Sequence, residues 1–358
     1  MQKQDYGKDN LSALEAKFEA QKIAFAPYVF QAALALRDLG ILELLRKHHR
    51  NGITLEELTD KTKLSEYGVE VLLDAGMSSG ILHLKEGKYY LTKIGFFLLT
   101  DKLTRINMDF VNDVCYHGAA GLKDSIVNEK PEGLKVFGDW PTIYHGLSEL
   151  PEKTKESWFA FDHYYSDHVF ESILPIIFQS KPAKILDIGG NTGKFTLSCL
   201  NYNKDINVTI ADLPGQLNVA AQNIEKAGFG ENVDLYPVDL LNAESKLPGE
   251  HDVIWMSQFL DCFGEEDILS ILKRVHEAMK NGSRVYILET YWDRQKFEAS
   301  TYCLNFTSLY FTTMANGKSR MYHSSKMKKL LDKAGFKTSG EWDDLGVSHT
   351  LFECIKKD

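Results

Sequence analysis

The sequence predicts an α/β protein: a doubly wound, mostly parallel sheet with a terminal antiparallel hairpin, preceded by an N-terminal domain of winged-helix type. Three observations carry this. From Lys184 onward, short apolar runs alternate with amphipathic stretches, the βαβ order of a parallel sheet. The first of those runs, "KILDIGGNTGKF" (184–195), ends in Asp187 and a loop holding three glycines. The first hundred residues read as helices and one hairpin.

In "APYVFQAALALRDLGILELLRK" apolar residues recur at helical spacing, and Gly40 interrupts them. The next stretch reads helix, turn, helix, strand, turn, strand. Thr54 with Glu57 three residues on forms a capping box, and Ser65 starts the second helix in the same manner. "ILHL-KEGK-YYLT" reads as a hairpin around a glycine turn. Residues 101–180 are helical and aromatic-rich, and Pro182 ends that pattern. Strands are expected at about 184–188, 207–211, 233–237, 252–256 and 284–288, with helices near 193–202, 216–227, 266–280 and 324–334. "FKTSGEWDDL" and "SHTLFECIKK" form the closing hairpin. The expected domains are 1–105 (winged helix), 106–180 (helical linker and substrate wall) and 181–358 (cofactor domain).

Composition narrows the function classes. The chain has 358 residues, 44% hydrophobic and 25% charged, with net charge −9, so a broad electrostatic grip on nucleic acid or anionic lipid is not expected. The second helix of the winged-helix segment carries Glu66, Glu70 and Asp74 and no lysine or arginine, which opposes a DNA-reading role. No apolar run approaches the ~18–20 residues of a membrane span, and the polar N-terminus lacks the apolar core of a secretory signal. Five scattered cysteines, Cys115, Cys199, Cys262, Cys303 and Cys354, show no zinc spacing and fit reduced thiols in a cytoplasmic protein. No metal site is expected.

The glycine loop is D-x-G-G-x-x-G rather than the G-x-G-x-x-G of a dinucleotide fold. Gly189, Gly190 and Gly193 let backbone approach a ligand closely. Asp187 would repel a pyrophosphate but suits a cationic group, such as the amino group of a methionine moiety. "VTIADLPG" ends the second strand in Asp212, suited to ribose hydroxyls. "VDLYPVDLL" places Asp239 after the third, suited to an adenine amine. Acids at three successive strand ends suit S-adenosylmethionine better than a nicotinamide dinucleotide. Leu213 and Leu240 would flank the adenine.

The segments "KILDIGGNTGKF", "IADLPG", "VDLL", "DVIWMSQFLDCFGEEDILSILKRVHEAM" and "RVYILET" resemble the class I, Rossmann-like S-adenosylmethionine-dependent methyltransferases. More narrowly, the chain resembles dimeric small-molecule O-methyltransferases with an N-terminal winged helix, the caffeate, hydroxyindole and polyketide-tailoring enzymes, over roughly residues 20–355. That resemblance implies that Asp187, Gly189, Asp212, Asp239 and the backbone near Ser257 hold the cofactor. It also implies a homodimer whose N-terminal domain intertwines with its partner, and a small, hydroxylated aromatic substrate.

Where the family carries its catalytic histidine, in an H-D-W segment, this chain has Asp261, followed by Cys262 and Phe263. Glu289 matches a family glutamate, and Ser319 stands where a second is expected. Imidazole titrates near 6.5 and aspartate near 3.9, so Asp261 acts as a base on a phenol only if burial beside Glu289 raises it. Asp261 could instead hold a substrate amine or hydroxyl, or serve as an N-cap or loop hydrogen-bonder before the next helix. His163 and His168, in "FDHYYSDH", are alternative bases, and His163 matches a family position close to the methyl group; His117 and His145 lie on neighbouring helices. Phe161, Phe306, Tyr310 and Met314 are the expected substrate wall, the last three at i, i+4 and i+8 on one helix face. The missing histidine also leaves open a cofactor-binding relative with hydroxylase or decarboxylase chemistry, and a winged-helix DNA-binding regulator is a further alternative.

Overall fold

The computed structural model describes residues 8–166 and 169–357, which divide into two units, one ending at Asn112 and one beginning at Asp113. The N-terminal unit holds α1 (Ala13–Ala24), α2 (Ala26–Asp38), α3 (Ile41–Lys47), α4 (Leu55–Thr62) and α5 (Glu66–Ser78), then the antiparallel pair β1 (Leu82–Lys85) and β2 (Lys88–Leu91), then α6 (Lys93–Thr100) and α7 (Lys102–Phe110).

Local chemistry accounts for these boundaries. Gly40, at φ +80°, separates α2 from α3. The Thr54 hydroxyl accepts the Glu57 N–H at 3.2 Å and the Glu57 carboxylate accepts the Thr54 N–H at 2.9 Å, so the capping box forms. The Ser65 hydroxyl caps α5 through the Gly68 N–H at 3.1 Å. Glu86 and Gly87 both have positive φ, 51° and 74°, the two-residue turn whose twist matches its flanking strands. Leu36, Ile41, Leu42, Leu58 and Leu73 are buried together beneath these elements. Helix α1 buries none of its residues within the chain.

The second unit opens with α8 (Leu122–Asn128), the short α9 (Ile143–Gly146), α10 (Glu152–Ser166) and α11 (Phe170–Ile177). The sheet comes next: β3 (Lys184–Ile188), α12 (Lys194–Tyr202), β4 (Asn207–Asp212), α13 (Pro214–Ala227), β5 (Val233–Pro237), β6 (Val253–Ser257), α14 (Glu265–Ala278) and β7 (Arg284–Glu289). After it come α15 (Glu298–Tyr310), α16 (Ser324–Lys333), β8 (Phe336–Leu345) and β9 (His349–Lys356). Strand order is β5-β4-β3-β6-β7-β9-β8. The first five are parallel and β9 runs antiparallel to both β7 and β8.

The central strands are apolar on both faces because both are covered. Leu186, Ile254 and Ile287 pack toward α14 and α16, while Ile185, Trp255 and Leu288 pack toward α11 and α12. The Phe195 ring stacks on Trp255 at 4.2 Å. Chain order reverses at β3, so the loops after β3 and β6 part there, the crevice where open α/β sheets bind ligands.

The expected wall residues Phe306, Tyr310 and Met314 do not lie on one continuous α-helix. Helix α15 holds Phe306 and Tyr310 one turn apart and ends at Tyr310, where it passes into a wide π turn over residues 311–315 that carries Met314. Phe306 is 54% exposed, whereas Tyr310 and Met314 are buried. Met314 sits so close to Gly118 that a Cβ there would fall 2.2 Å from its sulfur.

Candidate active site

The parallel strands bring their C-terminal ends to one edge, and the sequence-identified acids lie along it. Asp187 is the penultimate residue of β3, with 1% of its surface exposed. Its Oδ2 accepts the Thr196 hydroxyl of α12 at 2.7 Å. Burial pushes its carboxyl up to about 7, with the nearby Asp212 charge adding to the effect and the Thr196 bond opposing it. Asp212 closes β4; its Oδ2 accepts the Asn191 N–H at 2.8 Å and its Oδ1 the Leu213 N–H at 2.7 Å. It too is raised by burial, against these two bonds.

The loop between β3 and α12 requires its glycines. Gly189 has φ +70°, and a Cβ there would lie 2.3 Å from the Phe259 ring. A Cβ on Gly190 would meet Ile210 at 2.7 Å and Asp187 Oδ2 at 2.8 Å. Gly193, at φ +81°, starts α12. Asn191 also adopts positive φ, 49°, held by Asp212.

Beyond β5, Asp239 is exposed and its Oδ1 accepts the Leu241 N–H at 2.9 Å. Leu240 is buried. Arg274 of α14 donates to the carbonyls of Leu240 (2.6 Å), Asn242 (3.0 Å) and Ser245 (3.3 Å), which moulds this loop against the sheet edge. Leu213 and Ser257 are partly buried, the first at the start of α13 and the second at the end of β6.

The third group lies past β6 and β7. Asp261, in a 3-10 turn over Leu260–Cys262, is buried, and Glu289 closes β7 with 1% exposure. Glu289 Oε1 accepts the backbone N–H groups of Phe259 and Leu260 at 3.1 and 2.8 Å, while Oε2 is buried without a hydrogen-bond partner. Burial raises both carboxyls, Asp261 to about 7, and the Asp261 charge further raises Glu289. Asp162 of α10 adds to the effect on Asp261. Asp261 does not cap the following helix: α14 begins after Gly264 with no side-chain cap.

His163 lies on α10, partly buried, with its ring stacked on Phe159 at 5.7 Å. Its Nδ1 is 3.1 Å from Lys194 Nζ. An ammonium can only donate there, so Nδ1 is engaged as an acceptor. His117 and His145 are exposed, and His168 lies outside the described residues. Phe161 is partly buried with its ring 5.0 Å from Tyr165, and Tyr310 Oη accepts the Trp158 Nε1–H at 2.7 Å.

Sequence reasoning missed Asn191, Arg274, Asp162 and Tyr144. Asn191 and Arg274 act through local loop geometry. Asp162 was passed over for the histidine beside it. Tyr144 reaches Cys262 across 118 residues of chain, a separation that carries no local signal.

The donor set fits an adenosyl sulfonium ligand. Two neighbouring acids raised by burial are relieved by a cation, and backbone stripped of Cβ atoms lines the approach to them.

Comparison with known proteins agrees with this geometry. Residues 121–337 match the family described as O-methyltransferase domain, and residues 17–89 match a Dimerisation2-like domain. L-tyrosine C(3)-methyltransferase of Streptomyces lavendulae is 24% identical over 318 residues, covering 88% of this chain and 85% of that protein. 3-Hydroxy-5-methyl-1-naphthoate 3-O-methyltransferase of Streptomyces sahachiroi is 24% identical over 269 residues, covering 74% and 75%. Among solved structures, the S-adenosylmethionine-dependent methyltransferase SibL superposes with a TM-score of 0.70 at 23% identity, covering 94% of this chain and 98% of that one.

Proposed function

From the premise that this chain belongs to the O-methyltransferase family and is an S-adenosylmethionine-dependent methyltransferase, we propose that it methylates the phenolic oxygen of a small hydroxylated aromatic molecule, with Asp261 as the base. The observation that supports this most is the nearness of Asp261 and Glu289: two buried carboxyls, one in the turn after β6 and one closing the adjacent β7, with Asp261 raised by burial to about 7. A carboxylate of that basicity removes a phenol proton far better than an ordinary aspartate.

Bound S-adenosylmethionine supplies an electrophilic methyl group on a positive sulfur. Asp187, the loop Gly189–Gly193 and Asp212 would hold its amino acid and ribose parts, with Leu213, Asp239, Leu240 and Ser257 near the adenine. Asp261 takes the hydroxyl proton as the oxygen becomes nucleophilic, while Glu289 keeps its own proton and fixes the Phe259–Leu260 backbone. Alignment of the attacking oxygen with the methyl group supplies most of the acceleration. Phe161, Phe306, Tyr310 and Met314 form the apolar surroundings, and His163 orients rather than abstracts, because its Nδ1 is occupied by Lys194.

A second acceptor, the ring carbon beside the hydroxyl, is supported by the similarity to the tyrosine C(3)-methyltransferase, since a phenolate places negative charge on that carbon as well as on oxygen. Both curated relatives named above carry methyl-transfer names, which favours methyl transfer over hydroxylation or decarboxylation.

The N-terminal unit serves as a winged-helix dimerisation module. Its α1 leaves Leu14 79% and Phe18 58% exposed, which a second copy would cover. Glu66, Glu70 and Asp74 are exposed on α5, opposing a nucleic-acid partner. Five cysteines, none in a disulfide, fit a cytoplasmic setting, and no described helix is long and apolar enough to cross a membrane.

The test is calorimetry with S-adenosylmethionine and S-adenosylhomocysteine, then turnover on a panel of hydroxynaphthoates and hydroxyphenyl amino acids. Methylated product with stoichiometric S-adenosylhomocysteine is expected. Absence of binding of either adenosyl compound would overturn the assignment, and product NMR separates oxygen from carbon transfer.

A further inference from the structure

The turn that carries Asp261 is tied to a residue with no assigned part in methyl transfer. Tyr144, in α9, donates its phenol O–H to Cys262 Sγ at 3.1 Å, and Cys262 Sγ–H donates to Asp261 Oδ1 at 3.5 Å. Burial pushes both the phenol and the thiol well above their ordinary values. Both therefore keep their protons at neutral pH. The thiol hydrogen has two acceptors in reach, the Gln258 carbonyl at 3.9 Å and the nearer Asp261 Oδ1 at 3.5 Å; directed to the latter, the donors run from phenol to thiol to carboxylate.

The backbone of the same turn is held from a second side. The Cys262 carbonyl accepts the Asn316 amide at 2.7 Å, and that amide also donates to the Ser319 hydroxyl at 2.7 Å. Asn316 Oδ1 in turn accepts the N–H groups of Lys318 and Ser319, each at 2.9 Å. Ser319, standing where the resemblance expects a glutamate, thus braces the Asp261 turn.

We propose that Tyr144 is a positioning residue for methyl transfer: through the Cys262 thiol it holds the Asp261 carboxylate by Oδ1 and so fixes the orientation in which Asp261 meets the substrate. This rests on the reading of Asp261 as base. It explains why a thiol stands next to the aspartate. A sulfur there links a distant phenol to the carboxylate without adding a charge to an already acidic pocket. The groups facing Asp261 are Glu289 and Tyr291 from the β7 end, Asp162 from α10, Tyr322 before α16, and Tyr144 and Cys262 themselves. Among these, Cys262 and Tyr144 are the pair arranged as successive donors toward Asp261.

Two spectroscopic readouts test it on the full-length protein. The Cys262 S–H stretch is assigned in infrared spectra by its loss in Cys262→Ala. Tyr144→Phe is expected to move it to higher wavenumber, because a thiol that no longer accepts a hydrogen bond donates more weakly. The Asp261 carboxyl, assigned by carbon-13 NMR with Asp261→Asn as the reference, is expected to titrate at higher pH in Tyr144→Phe and in Cys262→Ala. The double variant should shift no further than Cys262→Ala alone, and Cys262→Ser should restore the original midpoint. An unmoved S–H band, or shifts that simply add, would overturn the role. Calorimetry with S-adenosylhomocysteine on the same samples keeps the two readings apart: wild type that fails to bind sinks the methyltransferase assignment, whereas Tyr144→Phe that binds but leaves both spectra unchanged sinks only this proposal.

Discussion

Asp212 holds Asn191: the carboxylate at the end of β4 accepts the loop residue's N–H at 2.8 Å, and so ties the glycine loop after β3 to the neighbouring strand. Asn191 sits at φ 49°, a conformation an L-residue adopts at a cost, and the bond helps offset it. The same carboxylate is the one proposed to take the ribose hydroxyls. Asp212→Ala should therefore weaken S-adenosylhomocysteine binding by about 10- to 100-fold, the loss of one or two hydrogen bonds to a charged acceptor. Isothermal calorimetry checks this, and an unchanged dissociation constant would move the ribose elsewhere.

Gly189→Ala attacks the same cradle by volume. The new methyl would stand 2.3 Å from the Phe259 ring at a backbone φ of +70°. Conformational strain and overpacking together should cost about 2–4 kcal/mol, read as a lower urea midpoint. Phe259 would also be displaced from the Asp261 turn, so cofactor binding and activity should both fall.

The strand–helix alternation and the acids at strand ends were legible because each is a local pattern. A period of two or 3.6 and a glycine after an acid need no tertiary information. The path of α15 was not legible. "FTSLYFTTM" reads as one continuous stripe, yet the chain opens into a π turn at Phe311, where Met314 packs onto the bare backbone of Gly118 nearly two hundred residues earlier. Tyr144 was silent for the same reason, since its partner Cys262 is met only after the sheet has formed. The direction of the Asp261 shift was legible only in part: burial dominates it, but the added push comes from Asp162 rather than Glu289, whose hydrogen bond lowers Asp261.

Arg274 tests whether the loop after β5 must be moulded. Its guanidinium donates to three carbonyls of residues 240–245, and no lysine could reach all three in that fixed fork. Arg274→Lys should lower stability by about 1–3 kcal/mol and, if the proposed placement of Asp239 and Leu240 beside the adenine holds, weaken binding of adenosyl ligands more than that of methionine. Competition calorimetry with adenosine and methionine distinguishes this from a general loss of fold.

The acid pair also makes stability fall as pH rises. Asp261 titrates near 3.8 in the unfolded chain and near 7 when buried. Below pH 3.8 both states are protonated and the group contributes nothing. Between about 3.8 and 7 the unfolded chain releases its proton while the folded one retains it, so the folded state loses stability progressively, and above 7 the loss is complete. Asp261→Asn removes the titration. The variant's thermal midpoint should therefore gain on that of wild type between pH 5 and pH 8, with the difference levelling off at the upper end. Activity should behave oppositely in wild type: methyl transfer needs the ionised carboxylate, so kcat should rise through about pH 7, and Asp261→Asn should abolish that rise along with most of the rate. A stability difference between the two proteins that does not change with pH would mean that Asp261 ionises normally in the fold, and the base assignment would fall with it.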